Sequence, residues 1–145
     1  MIRKIEVDGN DGTGKSYRIE KMKELFPGLV YYDRGIFSKA TLNEKLFQNK
    51  NSQEWYKEKE DFYNLVKSHS DTLYIILDAS PATCQRRIKE RGDSLEEEYH
   101  TKEDLLKYSE RFYELCEIWI LYYITVIFVL LFEFVINDIF VTAIN

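Results

Sequence analysis

Basic residues stop early in this 145-residue chain: all 20 lysines and arginines precede Cys116, and residues 117–145 contain none. Residues 118–132 carry no charge of either sign. Such a run falls between the ~10–14 apolar residues of a buried segment and the ~18 or more of a membrane span. It has no basic flank, and Glu133 and Asp138 interrupt its continuation, so the positive-inside pattern is missing. The apolar segment 118–145 is therefore expected to hold the end of a helix, a buried strand over 125–131 and a last apolar stretch, rather than an anchor; burial in a homodimer is compatible with the same pattern. Cysteine is also scarce. Cys84 and Cys116 lie far apart without metal-ligand spacing and read as buried thiols in a reducing compartment. A net charge of −5 gives no global basic field, which argues against nucleic acid as a partner. No signal-peptide pattern precedes the first strand, so a cytoplasmic location is expected. Without repeats or low-complexity linkers, residues 1–145 read as one domain.

What the chain does have is concentrated at its start. Ile2, Ile5 and Val7 form a short apolar strand that runs into Gly9, Asn10, Asp11, Gly12, Thr13, Gly14, Lys15 and Ser16. These eight residues fit G-x-x-x-x-G-K-[ST] at every fixed position. The glycines let the backbone turn tightly and aim successive N–H groups inward, where they cradle a triphosphate. Lys15 supplies a point charge for the β- and γ-phosphates, and the Ser16 hydroxyl suits Mg²⁺. A helix follows, presenting its positive end to the same anion. ATP and Mg²⁺ are the cofactors this pattern implies.

Further along, a helix is expected over 15–26 and stops at Pro27-Gly28. A second short strand at 29–32 leads into Asp33-Arg34-Gly35. An acid at the carboxyl end of a strand beside a phosphate loop is where an α/β sheet places ligand chemistry, and Arg34 can pair a phosphate bidentately. Helices are expected over 38–49 and 52–67, with Ser52 as N-cap of the second. His69 reads as an exposed residue at its end. Residues 72–77 form the clearest buried strand, ending at Asp78. Ser80 as N-cap, Pro81 as first helical residue and Gly92 as stop define the next helix, on which Arg87 and Arg91 share a face. Residues 92–100 read as a polar loop. Thr101 and Asp104 form a capping box for a long helix, and His100, just ahead of it, is given no catalytic role.

Taken together, DGNDGTGKS, DRGIFSKA and LYIILDASPATCQRRIKERG resemble the thymidylate kinases and their relatives among the P-loop nucleoside and nucleotide kinases, over residues 1 to about 115. The resemblance implies an α/β fold: a three-layer α/β/α sandwich around a small, mainly parallel sheet of about four strands, with a lid at 92–100. It implies ATP-dependent phosphoryl transfer to a (deoxy)nucleoside monophosphate, dTMP or a related deoxynucleotide, with a deoxynucleoside acceptor as the alternative. Residues 9–16 would hold ATP–Mg²⁺, and Asp11 would reach toward the acceptor's sugar. Asp33, with Ser16, would place the metal. Arg34 would bind the acceptor phosphate, and Arg87 and Arg91 would clamp the transferring phosphoryl. Lys15, Asp33, Arg34, Arg87 and Arg91 are thus the expected catalytic set.

The family pattern also has a strand–helix unit between the loop helix and the Asp-Arg strand, where only Pro27-Gly28 stands here. The residue that activates a sugar hydroxyl in deoxynucleoside kinases sits on that strand, which leaves Asp33 as the candidate. A reading of a different class is a non-catalytic nucleotide-binding or membrane-associated protein that kept its phosphate loop.

Overall fold

The computed structural model describes residues 1–92, 100–120 and 126–130. Four parallel strands, β1 (Lys4–Gly9), β2 (Val30–Asp33), β3 (Thr72–Asp78) and β4 (Val126–Leu130), form one sheet in the order β2-β1-β3-β4. The helices between them are α1 (Lys15–Leu25), α2 (Ile36–Ala40), α3 (Gln53–Ser68), α4 (Pro81–Arg91) and α5 (Lys102–Ile120). This is the expected α/β fold.

Alternation along the central strands divides the core into layers. Ile5 and Val7 of β1 and Ile75 and Leu77 of β3 pack on one face against Ile19 of α1. Tyr74 and Ile76 point to the other face and meet Phe37 of α2, Phe62 and Val66 of α3, and Leu115 and Trp119 of α5. A third cluster, Ala79, Cys84, Ile88 and Leu105, joins α4 to α5 beyond the end of β3. Helices thus cover both faces of the sheet, as parallel strands require. Cys84 and Cys116 are buried and free, and burial pushes their thiols up to about 11 and about 12.

Most element ends follow the capping chemistry of the sequence. Ser52 Oγ accepts from Trp55 N at 3.1 Å, Ser80 Oγ from Thr83 N at 3.2 Å, and Thr101 Oγ1 from Asp104 N at 3.1 Å. Gly92 closes α4 in the left-handed conformation. His69 caps α3, with Nδ1 2.9 Å from Leu65 O.

The helix expected over 38–49 is instead broken: α2 ends at Ala40 and a separate 3₁₀ turn spans Glu44–Leu46. Asn43 accounts for the restart, since its Oδ1 accepts from Lys45 N at 3.2 Å and competes with helical continuation. The buried Arg111 of α5 fixes the break by donating to Thr41 O at 2.7 Å and Glu44 Oε2 at 2.6 Å.

The strand expected over 125–131 is found as β4. The last apolar stretch, 131–145, and most of the expected lid, 93–99, lie outside the described residues. Among the described residues no helix is long and apolar enough to cross a membrane.

Candidate active site

Because every strand runs the same way, Gly9, Asp33 and Asp78 end on one side of the sheet, and the phosphate loop rises from the middle of it. Gly12 carries φ +81°, and a Cβ there would lie 2.5 Å from Cys84 O, so only glycine lets α4 approach the loop. Thr13 is buried, with Oγ1 donating to Asn10 O at 2.7 Å, and Asn10 Nδ2 donates to Leu105 O at 2.8 Å. The loop is therefore pinned from within and from α5.

Lys15 is 6 % exposed and folds back over the loop, donating to Gly9 O at 2.8 Å and Asn10 O at 2.7 Å. Burial holds its ammonium below the usual lysine range, while the Asp11 carboxylate, 3.8 Å away, works in the opposite sense. Ser16 Oγ donates to Asp33 Oδ2 at 3.1 Å, so the two expected metal ligands meet. A hydroxyl and one exposed carboxylate are hard oxygen donors that suit Mg²⁺. No group of three or more His, Cys, Asp or Glu residues is poised to hold a metal among the described residues.

Beyond β2 the chain turns sharply. Arg34 adopts φ +66°, a left-handed conformation uncommon for a side-chain-bearing residue, while its N–H stays tied to Val7 O at 3.0 Å. The turn brings its guanidinium onto Asp11 Oδ1. Asp8, fully buried at the end of β1, holds the other side of the turn: Oδ1 accepts from Gly35 N at 2.8 Å, Ser38 N at 2.9 Å and Ser38 Oγ at 2.5 Å. Burial outweighs those donors and raises the Asp8 carboxyl above its ordinary value.

On the opposite wall Arg87 Nη1 donates to Gly12 O at 3.1 Å, which puts it at the loop. Arg91 is exposed one turn further along α4. The other residues of the expected catalytic set, Lys15, Asp33, Arg34 and Arg87, converge. His100, which carries no catalytic signal in the sequence, also arrives here: its Nε2 lies 2.8 Å from Asp11 Oδ2.

A cavity of about 350 Å³ opens beside the loop. Asp11, Arg34, Ser38 and His100 give it a polar end, and Tyr108 and Phe112 of α5 give it an aromatic wall. That volume lies within the roughly 300–1,000 Å³ range of small-molecule sites. A larger concavity of about 660 Å³ runs on the far side of Arg34 and Lys39, between β1 and α3, but no loop residue lines it. Of the two, the smaller one is lined by loop residues, so position outweighs size here.

A phosphate loop on a parallel α/β sandwich, with an acceptor-sized cavity against it, defines a P-loop phosphotransferase. A model of the family described as deoxynucleoside kinase matches residues 20–137, most of the chain, and the chain belongs to that family. The match begins after the phosphate loop, so loop and family identify a nucleotide-binding kinase independently. No curated protein matches the chain. The family found is the nucleoside kinases, so the thymidylate-kinase likeness extends to the shared superfamily.

Proposed function

We propose that this chain transfers the γ-phosphoryl of ATP to a sugar hydroxyl of a deoxynucleoside. The family match favours this acceptor over the monophosphate that the thymidylate-kinase resemblance implies. The observation that carries the reading is the Asp11–Arg34 pair at the mouth of the cavity. Arg34, although exposed on its outer side, is turned onto the carboxylate that borders this space. A neutral acceptor there meets a charge-compensated pair.

In this reading the loop N–H groups and Lys15 receive the phosphates, and Arg87 neutralises charge on the transferring group. Ser16 and Asp33 would hold Mg²⁺, which supplies charge neutralisation across the phosphates. Phosphoryl transfer draws its acceleration from such positioning and electrostatics. Tyr108 and Phe112 offer faces for a base.

The test is a transfer assay with ATP–Mg²⁺ against all common nucleosides and nucleoside monophosphates. Phosphorylation of at least one deoxynucleoside, with monophosphates inert, is expected. The reverse pattern returns the monophosphate reading. Arg34→Ala sharpens the distinction: a lost charge-assisted pair with an acceptor phosphate is worth roughly 1.5–3 kcal/mol, or about one to two decades in acceptor KM. The nucleoside reading expects a smaller rise in acceptor KM, from the uncompensated Asp11 carboxylate left at the cavity. ATP binding without transfer to any acceptor would mark a non-catalytic nucleotide binder.

A further inference from the structure

A neutral hydroxyl acceptor needs something that a phosphate acceptor does not: a group that takes its proton during attack. Among the described residues, the nearby carboxylates are otherwise engaged. Asp33 is bound to Ser16 and does not line the cavity. Asp8 is fully buried on the Gly35–Ser38 turn. Asp11 reaches the cavity, but its Oδ1 is occupied by Arg34 and faces Lys15 at 3.8 Å.

His100 is differently placed. Its ring lines the cavity, its Nε2 lies 2.8 Å from Asp11 Oδ2, and its Nδ1 is buried without a hydrogen-bond partner among the described residues. A neutral imidazole donating from Nε2 to a carboxylate carries its lone pair on Nδ1. The carboxylate behind it fixes that tautomer and stabilises the imidazolium formed when a proton is taken up.

We propose that His100, oriented by Asp11, is the general base for transfer to the sugar hydroxyl; this rests on the nucleoside-kinase reading above. The hydroxyl O–H bond breaks and its proton passes to Nδ1 as the oxygen bonds to the γ-phosphorus. The bond from that phosphorus to the β–γ bridging oxygen breaks, and ADP leaves with the electron pair. The imidazolium then returns its proton to solvent. Among the described residues, the charged and titratable groups that line the same cavity as the ring are Asp11 of the loop, Arg34 after β2, Lys39 of α2 and Tyr108 of α5.

The experiment compares the full-length wild type with His100→Gln and His100→Ala on the deoxynucleoside that the wild type phosphorylates. We expect kcat to fall by roughly 10²–10⁴, the usual contribution of a general base, with ATP affinity and nucleoside KM near wild type. The acid limb of the wild-type kcat profile should vanish in both variants. Added imidazole should restore part of the rate in His100→Ala and none in His100→Gln. The glutamine side chain keeps a donor for Asp11, so that variant carries the test if the alanine variant loses structure by circular dichroism. A kcat near wild type with the acid limb intact overturns the proposal alone, and so does a loss confined to KM, which would make His100 a binding residue. A wild type that phosphorylates monophosphates and no nucleoside removes the underlying reading, and the proposal with it.

Discussion

Replacing Lys15 by methionine separates what this residue does for phosphoryl transfer from what it does to the fold. The buried ammonium donates to Gly9 O at 2.8 Å and Asn10 O at 2.7 Å and lies 3.8 Å from Asp11. Burial nevertheless pushes its pKa below the lysine norm. A lysine whose pKa is lower folded than unfolded binds its proton less readily in the native state, so its charge subtracts from stability at neutral pH. Stability then rises as pH climbs from the folded pKa to the unfolded one. Methionine keeps the stem and removes the charge. Asn10 O retains the Thr13 hydroxyl at 2.7 Å and the Thr13 N–H at 3.3 Å, which leaves Gly9 O as the acceptor that loses its donor. A lost hydrogen bond of that kind costs about 1–3 kcal/mol, set against the relief of burying a charge. The two terms oppose each other, so the melting temperature should stay within a few degrees of wild type, at roughly 2–4 °C per kcal/mol. Catalysis has no such offset: losing one preorganised positive donor should lower kcat by about 10²–10³. Thermal melts paired with transfer rates at saturating ATP measure both. A variant that keeps wild-type turnover, or one that is unfolded at 25 °C, would refute the reasoning.

Three further outcomes follow from the same geometry. Gly12→Ala combines a left-handed backbone with a Cβ 2.5 Å from Cys84 O; about 1–2 kcal/mol for the backbone and 1–3 for the contact should lower the urea midpoint markedly and move Arg87 off the loop. Asp8 has its pKa raised by burial, so the native state holds its proton more tightly than the unfolded chain, and its contribution to stability falls as pH rises from about 4 through the folded pKa. Asp8→Asn should flatten that fall in unfolding free energy measured between pH 4 and 7; an identical slope in both proteins counts against it. Truncation before β4 strips the ladder from Tyr74 to Asp78 and turns the buried strand β3 into an edge; at roughly 0.5–1.5 kcal/mol per hydrogen bond, against a total of 5–15, the shortened chain should be unfolded by circular dichroism, and a folded, ATP-binding truncation would show β4 dispensable.

Much of the fold was legible because its signals are local. The run at 72–77 is apolar enough to be a doubly covered strand, and Ser80, Pro81 and Gly92 mark both ends of α4 by their own chemistry. Even within the charge-free stretch 118–132 a strand could be read over 125–131, and β4 forms there at Val126–Leu130. The helix expected over 38–49 failed for a nonlocal reason. Its residues have adequate helical propensity, but Arg111, 70 positions away from Thr41, takes that carbonyl and anchors the 3₁₀ turn through Glu44. Propensity yields to a buried guanidinium that needs acceptors where it lands.

The site shows the same division. The phosphate loop is a contiguous motif, and Asp33 follows from its place at a strand end. What could not be read is the convergence on Asp11, which touches Lys15 four residues on, Arg34 from the β2 turn and His100 from the approach to α5. His100 stands before a capping threonine with no periodicity around it, and nothing in its neighbours indicates chemistry. Its position comes from α5 being anchored along its first three turns: Asn10 donates to Leu105 O near the start, and Asp78 accepts from Ser109 and Tyr113 further along. Those contacts fix the helix against the carboxyl ends of the strands, so the residue just before it is delivered to the loop. A histidine thus reaches the phosphate site as a consequence of how a helix docks.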